Sequence, residues 1–239
     1  MGTLINALLI VVGGIIGLLF KKAVSSQMEY SIHKAIGVAV LVIGICGVLS
    51  TMLKSGADGS ISSSGELILV ISLAVGTFVG EALKLEDRLN RGCKWIESKF
   101  KMSGFASGFI TSTMIYCVGA MAIVGAINDG LLGDSSTLVT KGIIDGITSV
   151  VLTASLGYGV LFSAIPIIVY QGAITLLAGQ LEGVLAGELL GNICMVGYAL
   201  VMCIGINFLY NEEKKIRTVN MLPALIVPVV YKILQNILG

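Results

Sequence analysis

Charge is what this sequence has least of. Of its 239 residues only 12% are Asp, Glu, Lys or Arg, while 56% are hydrophobic; an ordinary soluble domain carries about 25% charged residues. So few charges could not cover a water-soluble globule of such apolar content, which excludes one. The net charge is +1, and no bulk electrostatic argument points to nucleic acid. A single histidine, His33, excludes a multi-histidine metal centre, and no metal site is expected. The five cysteines (Cys46, Cys93, Cys117, Cys194, Cys203) form no CxxC pair, and their odd number and mostly in-span positions suit small apolar packing residues rather than a disulfide framework. HExxH, GxSxG and Walker A are all missing. Gly157-Tyr158-Gly159 begins like a dinucleotide loop, but Phe162 stands where its last glycine belongs. No catalytic residue and no cofactor is expected.

What the sequence has is apolar length. Mean hydropathy is +0.98, and eight segments approach the ~20 residues needed to cross a bilayer: about 3–20, 35–53, 66–83, 104–127, 142–157, 159–180, 188–209 and 219–237. The expected fold is all-α, a polytopic transmembrane helix bundle of about eight spans, seven if the last, with Pro223 and Pro228, lies in the interface. The chain is expected to be one integral membrane domain over 1–239. The first run reads as a retained span rather than a cleavable signal, because Lys21-Lys22 follow it and no basic residue precedes it. Between spans five and six, Gly157-Tyr158-Gly159 marks the break.

Basic residues orient the bundle. With eight crossings, 12 of the 15 Lys and Arg fall on one side and only Lys54, Lys141 and Lys232 on the other. This expects a bacterial inner-membrane protein with both termini outside and its basic loops in the cytoplasm. Residues 86–101 are the long charged stretch, in which Leu89, Cys93, Ile96 and Phe100 recur at helical spacing beside Trp95. That pattern expects a cytoplasmic amphipathic connector lying on the inner membrane surface.

Glycine, with 31 residues, fits helices that pack backbone to backbone in lipid. Residues 2–21 slide onto 65–84 without a gap, which aligns Gly13 with Gly76 and Gly17 with Gly80. These two GxxxG strips suggest an internal repeat and close helix packing. Ile36–Ala39 and Val196–Ala199 share a fainter likeness on spans running in opposite directions, as inverted repeats of transporters do. Exposed strips at Gly13–Gly17, Gly76–Gly80, Gly104–Gly108 and Gly187–Gly191 are expected to support a homodimer or higher homo-oligomer.

Polar groups inside a membrane are costly and usually face a partner or a wet cavity. Asp145, Ser149 and Thr153 recur at i, i+4 and i+8, one helix stripe. Span six carries Gln171 and Thr175 one turn apart. Asn6 and Asn192 sit near the outer ends of their spans, and Thr148 and Asn207 complete the in-span polar set. The candidate ion- or substrate-binding residues are Asp145, Ser149, Thr153, Gln171, Thr175, Asn6 and Asn192. No Lys or Arg falls at comparable depth in another span, and Lys141 is one turn outward, so Asp145 is expected to lack an internal salt bridge. It either sits at a favourable helix start or attracts a cation or proton.

Gly2-Thr3-Leu4-Ile5-Asn6 with Gly13-Gly14 and Gly17, Asp145-Gly146-Ile147-Thr148-Ser149, Phe162-Ser163-Ala164-Ile165-Pro166 and Tyr170-Gln171-Gly172 resemble an uncharacterised bacterial inner-membrane family, domain of unknown function 554. The resemblance covers essentially the whole chain. It implies membrane location and fold, and it carries no catalytic residues. Two functions from different classes fit these residues. One is a small secondary transporter or channel for an ion or small polar solute, lined by polar residues of spans five and six. The other is a non-transporting membrane scaffold or regulatory protein acting through its cytoplasmic surface.

Overall fold

Within lipid a backbone must satisfy its own hydrogen bonds, which leaves a chain of this apolar content the choice of helices or a closed barrel. The computed structural model is an all-α polytopic bundle, 87% helical. It describes residues 1–21, 26–56, 58–100, 104–181, 187–210 and 215–238; Lys22, Lys101 and Lys214 of the basic loops lie outside them, as do the side chains of Lys21 and Phe100. In chain order the elements are α1 (Gly2–Lys21), α2 (Ser26–Met52), a hairpin of β1 (Leu53–Ser55) and β2 (Ile61–Ser63), α3 (Glu66–Leu83), α4 (Leu85–Phe100), α5 (Phe105–Cys117), α6 (Ala120–Leu132), α7 (Ser136–Leu156), α8 (Gly159–Phe162), α9 (Ala164–Leu176), α10 (Ala178–Leu181), α11 (Gly187–Leu209), a 3-10 helix (Thr218–Ile226) and α12 (Val227–Leu238). Among the described residues seven segments are long and apolar enough to cross a bilayer: Gly2–Phe20, Tyr30–Met52, Glu66–Leu83, Ser136–Leu156, Gly159–Leu176, Gly187–Leu209 and Thr218–Gln235. An eighth is the pair Phe105–Cys117 and Met121–Leu132, bent by 63°.

The chain forms two compact units, Met1–Ile36 with Leu89–Val184 and Gly37–Arg88 with Leu185–Gly239. In the first, α1 lies parallel along α7. Glycine decides the fit: a Cβ at Gly13 would stand 2.0 Å from the Gly146 carbonyl oxygen, and one at Gly17 would stand 2.4 Å from that of Val150. Backbones that close gain van der Waals and Cα–H···O contact along the whole seam. Against α7 in the opposite direction runs α5. Gly108 faces the Leu156 carbonyl near the C-terminal end of α7, and seven to eight residues on, the Tyr116 hydroxyl meets the Ser149 hydroxyl at 2.7 Å.

The chain then breaks at Val118–Gly119, where Gly119 takes φ 114°, ψ 149°, a conformation that L side chains rarely adopt. Beyond the break α6 climbs on. Gly125 faces Thr137 and Leu138, and Asp129 accepts the Gly2 N–H at 3.0 Å. The two half-helices therefore travel from the C-terminal end of α7 to the N-terminal ends of α1 and α7. The pair therefore runs along the length of α7 rather than doubling back on itself.

Two boundaries differ from the sequence reading. The fourth span, expected over 104–127, is two helices reaching Leu132, because the break adds length without adding rise. The fifth starts at Ser136 rather than 142, because Lys141, expected in a polar loop, is buried within it. The break between spans five and six falls at Gly157-Tyr158 as expected, with Gly157 at φ 79°.

In the second unit, α2 runs antiparallel to α11. A Cβ at Gly44 would stand 2.6 Å from the Met202 nitrogen, and one at Gly205 would stand 2.5 Å from that of Leu41. The second GxxxG strip does for α3 what the first does for α1. A Cβ at Gly76 would stand 2.2 Å from the Ala224 nitrogen and one at Gly80 1.8 Å from the Asn220 carbonyl oxygen. Its partner is the 3-10 helix, which has Pro223 inside it; proline has no N–H to give an α-helical ladder. Pro228 sits instead in the first turn of α12, where that loss is harmless. At ~2.0 Å rise per residue, nine 3-10 residues and the start of α12 together cover roughly the ~30 Å hydrocarbon core. Residues 86–100 of the charged segment lie in α4, with Cys93 buried, Leu89 and Ile96 half-buried and Trp95 exposed.

Candidate functional site

A helix places every fourth residue on one face, and the stripe of α7 carries Lys141, Asp145, Ser149 and Thr153. All four are buried. Asp145 does have an internal salt bridge, contrary to expectation: Lys141 Nζ donates to its Oδ2 at 2.5 Å, with both residues no more than 6% exposed. The pair lies roughly 8–14 Å into the helix at ~1.5 Å per residue. Lys141 continues the i+4 stripe outward by one step. That spacing was present in the sequence, but a span begun at 142 hid it.

Next to the pair, Asn6 of α1 and Gln171 of α9 meet. Both are 0% exposed, and Asn6 Nδ2 donates to Gln171 Oε1 at 3.3 Å. Asn6 also interacts with the Asp145 carboxylate. Cys117, the last residue of α5, lies within electrostatic range of both Lys141 and Asp145. The break between α5 and α6 thus lies near the ion pair. Helix ends leave carbonyls and amides without intrahelical partners, so the break adds backbone polarity where the side chains already concentrate it. One step along the stripe, Ser149 is held by Tyr116, a residue no sequence pattern singled out.

Several polar atoms here have no hydrogen-bond partner among the described residues: Asn6 Oδ1, Gln171 Nε2 and the hydroxyls of Thr3, Thr113, Thr153 and Thr175. All belong to the first unit. Buried polar groups are normally paired; two more such atoms, the Ser72 hydroxyl and Asn220 Nδ2, lie in the other unit.

Of the seven candidates, Asn6, Asp145, Ser149, Thr153, Gln171 and Thr175 belong to this unit. Asn192 belongs to the other, beside Gly65 on α11. Asn207 is structural: its side chain donates to the Ile216 carbonyl at 2.8 Å and accepts the Ile216 N–H at 2.7 Å. Thr148 is half-buried, and its hydroxyl donates to the Ile144 carbonyl of its own helix.

Residues 1–233 match the family described as Protein of unknown function (DUF554). The chain belongs to the DUF554 family. It is similar to the Uncharacterized membrane protein YdfK of Bacillus subtilis, 32% identical over 227 residues, 95% of this chain and 93% of that one. It is also similar to the Uncharacterized protein YqgA of Escherichia coli, 25% identical over 232 residues, 94% of this chain and 93% of that one. No solved structure matches it. This DUF554 member is accordingly a membrane protein with several apolar helices.

The DUF554 chain has a second polar cluster, in its other unit at the α3–α4 elbow. Lys84 makes the turn at φ 51°. Arg217 bridges Glu81 at 3.0 Å and Asp87 at 2.5 Å. Asn220 Oδ1 accepts the Glu86 N–H at 2.7 Å, and the Glu86 carboxylate accepts the Val219 N–H at 3.3 Å. Burial pushes the Glu86 carboxyl above its ordinary value. Every strong contact is internal, so this cluster locks an elbow.

Proposed function

We propose that the protein is a small secondary transporter or channel for an ion or small polar solute. The observation that carries this reading is the break between α5 and α6 near a buried ion pair and two half-satisfied carboxamides. Interrupted helices with polar side chains at the break are how membrane transporters build solute sites, and irregular backbone at membrane depth is tolerated where it lines a protein or water-filled space. The path runs along the α7 stripe from Lys141 to Thr153, faced by Asn6 of α1, Tyr116 of α5, and Gln171 and Thr175 of α9. Lys141 neutralises Asp145, so the site offers a charge pair rather than a lone anion to a cation.

The packing supports eight crossings with both termini on one side. Helices α1 and α7 run parallel and α2 and α11 antiparallel; both relations hold only if the α5–α6 pair crosses once. Combined with the basic loops, this supports an orientation with the termini outside the bacterial inner membrane and α4 in the cytoplasm. We also propose a homodimer or higher oligomer. The strips Gly13–Gly17 and Gly76–Gly80 are consumed inside the units, and Gly108 is covered by Leu156 and Gly159, which leaves Gly187–Gly191 uncovered among the described residues.

Proteoliposome flux with a panel of cations, anions and small polar solutes tests the reading. Flux of at least one solute, reduced by Gln171→Leu, is expected. No flux of any of them, together with a stable partner in pull-downs, would instead favour the scaffold function.

A further inference from the structure

We infer that the site takes a small uncharged solute that both donates and accepts hydrogen bonds, of the amide or urea type, rather than an inorganic ion. The inference rests on the transport reading above and assigns its substrate class. Asn6 and Gln171 are fully buried and share one hydrogen bond, which leaves one acceptor, Asn6 Oδ1, and one donor, Gln171 Nε2, without partners among the described residues. The Asp145 carboxylate fixes the sense of the Asn6 amide, because only its Nδ2, and not its Oδ1, can donate to a carboxylate. Thr3, one turn before Asn6, and Thr175, one turn after Gln171, add hydroxyls that are also unpartnered; a hydroxyl both donates and accepts.

The neighbouring charges sharpen the choice. Lys141 and Asp145 form a tight pair of zero net charge. A pair of zero net charge holds no net attraction for either a cation or an anion, and an uncharged dipole needs none. A desolvated cation also needs a shell made of oxygens, yet Gln171 presents an N–H. A carboxamide or urea supplies a carbonyl for Gln171 Nε2 and an N–H for Asn6 Oδ1, and so satisfies both groups at once.

Stopped-flow light scattering on reconstituted proteoliposomes tests this with urea and acetamide, against water alone and against dye-reported Na⁺, K⁺ and Cl⁻ flux. Urea or acetamide should permeate well above protein-free vesicles while the ions stay at background. Thr175→Val, an isosteric change, and Gln171→Leu should each lower that permeation, roughly tenfold for one lost hydrogen bond. Should Gln171→Leu fail to fold, Thr175→Val and Thr3→Val carry the same test. Ion flux without urea or acetamide permeation keeps the transport reading and overturns this one, as does permeation of water alone. Unchanged urea and acetamide permeation in folded variants also overturns it. No flux of any kind overturns the transport reading and this assignment with it.

Discussion

Replacing Gly13 by alanine puts a methyl group where the α7 backbone already is. The added Cβ would stand 2.0 Å from the Gly146 oxygen, and real Cβ contacts essentially never fall below 3.0 Å. The obstruction is a carbonyl inside an α-helix, so no side chain can rotate away. The α1–α7 seam must therefore open by about 1 Å, and a gap of that size forfeits up to roughly half of each van der Waals contact it widens. Overpacking of this kind costs ~1–3 kcal/mol, and an unyielding backbone places Gly13→Ala at about 2–3 kcal/mol. Gly172 of α9 supplies the control. Its Cβ would meet nothing within 4 Å, and alanine in a helix is favoured over glycine by about 0.5–1 kcal/mol. Thermal unfolding of purified protein can be followed with a thiol-reactive dye that reports exposure of the buried Cys93, Cys194 and Cys203. At roughly 2–4 °C per kcal/mol for a chain of this size, Gly13→Ala should melt well below wild type and Gly172→Ala at or slightly above it. A Gly13→Ala protein that melts with wild type would refute the close parallel seam.

Three further outcomes follow from the same structure. Asp145→Asn alone should cost about 3–5 kcal/mol by leaving Lys141 buried and unpaired, and Lys141→Met with Asp145→Leu should recover most of it; equal stability of single and double variants would show that the pair is not buried. Burial raises the Glu86 carboxyl above 4.5, so the folded chain holds a proton that the unfolded chain releases. That contribution is complete below about pH 4.5 and is lost as pH rises through the raised value. Glu86→Gln, which keeps an acceptor for the Val219 N–H, should thus be more stable than wild type at pH 7 and equal to it at pH 4; unfolding curves at the two pH values decide. Finally, in a cysteine-free background, Ser135→Cys should react with an impermeant maleimide added outside intact cells and Ser98→Cys only after permeabilisation; the reverse pattern would invert the topology.

By itself the sequence determined that the chain lives in a membrane, because its charge could not cover its apolar surface in water. It also determined where most of the helices run, that the GxxxG strips of α1 and α3 line close faces, and that Asp145, Ser149 and Thr153 share a stripe. These are local properties, set by periods of 3.6 residues and by length. Even Lys141 was legible at that level, as the next member of the stripe.

What the tertiary structure decided is who meets whom. Asn6 and Gln171 are 165 residues apart in sequence, and Tyr116 reaches Ser149 because α5 has one particular register on α7. The α5–α6 pair breaks at Val118–Gly119, where nothing in the apolar run distinguished Gly119 from its neighbours. The GxxxG strips pointed to close packing but not to its partner, and they serve contacts inside each unit rather than between copies. The physical reason lies in the solvent. In water, the apolar face of a helix points to the core; in lipid, both faces are apolar, and the pattern no longer says which one turns inward. Partner choice then rests on shape and a few buried polar groups, which only the folded chain brings together.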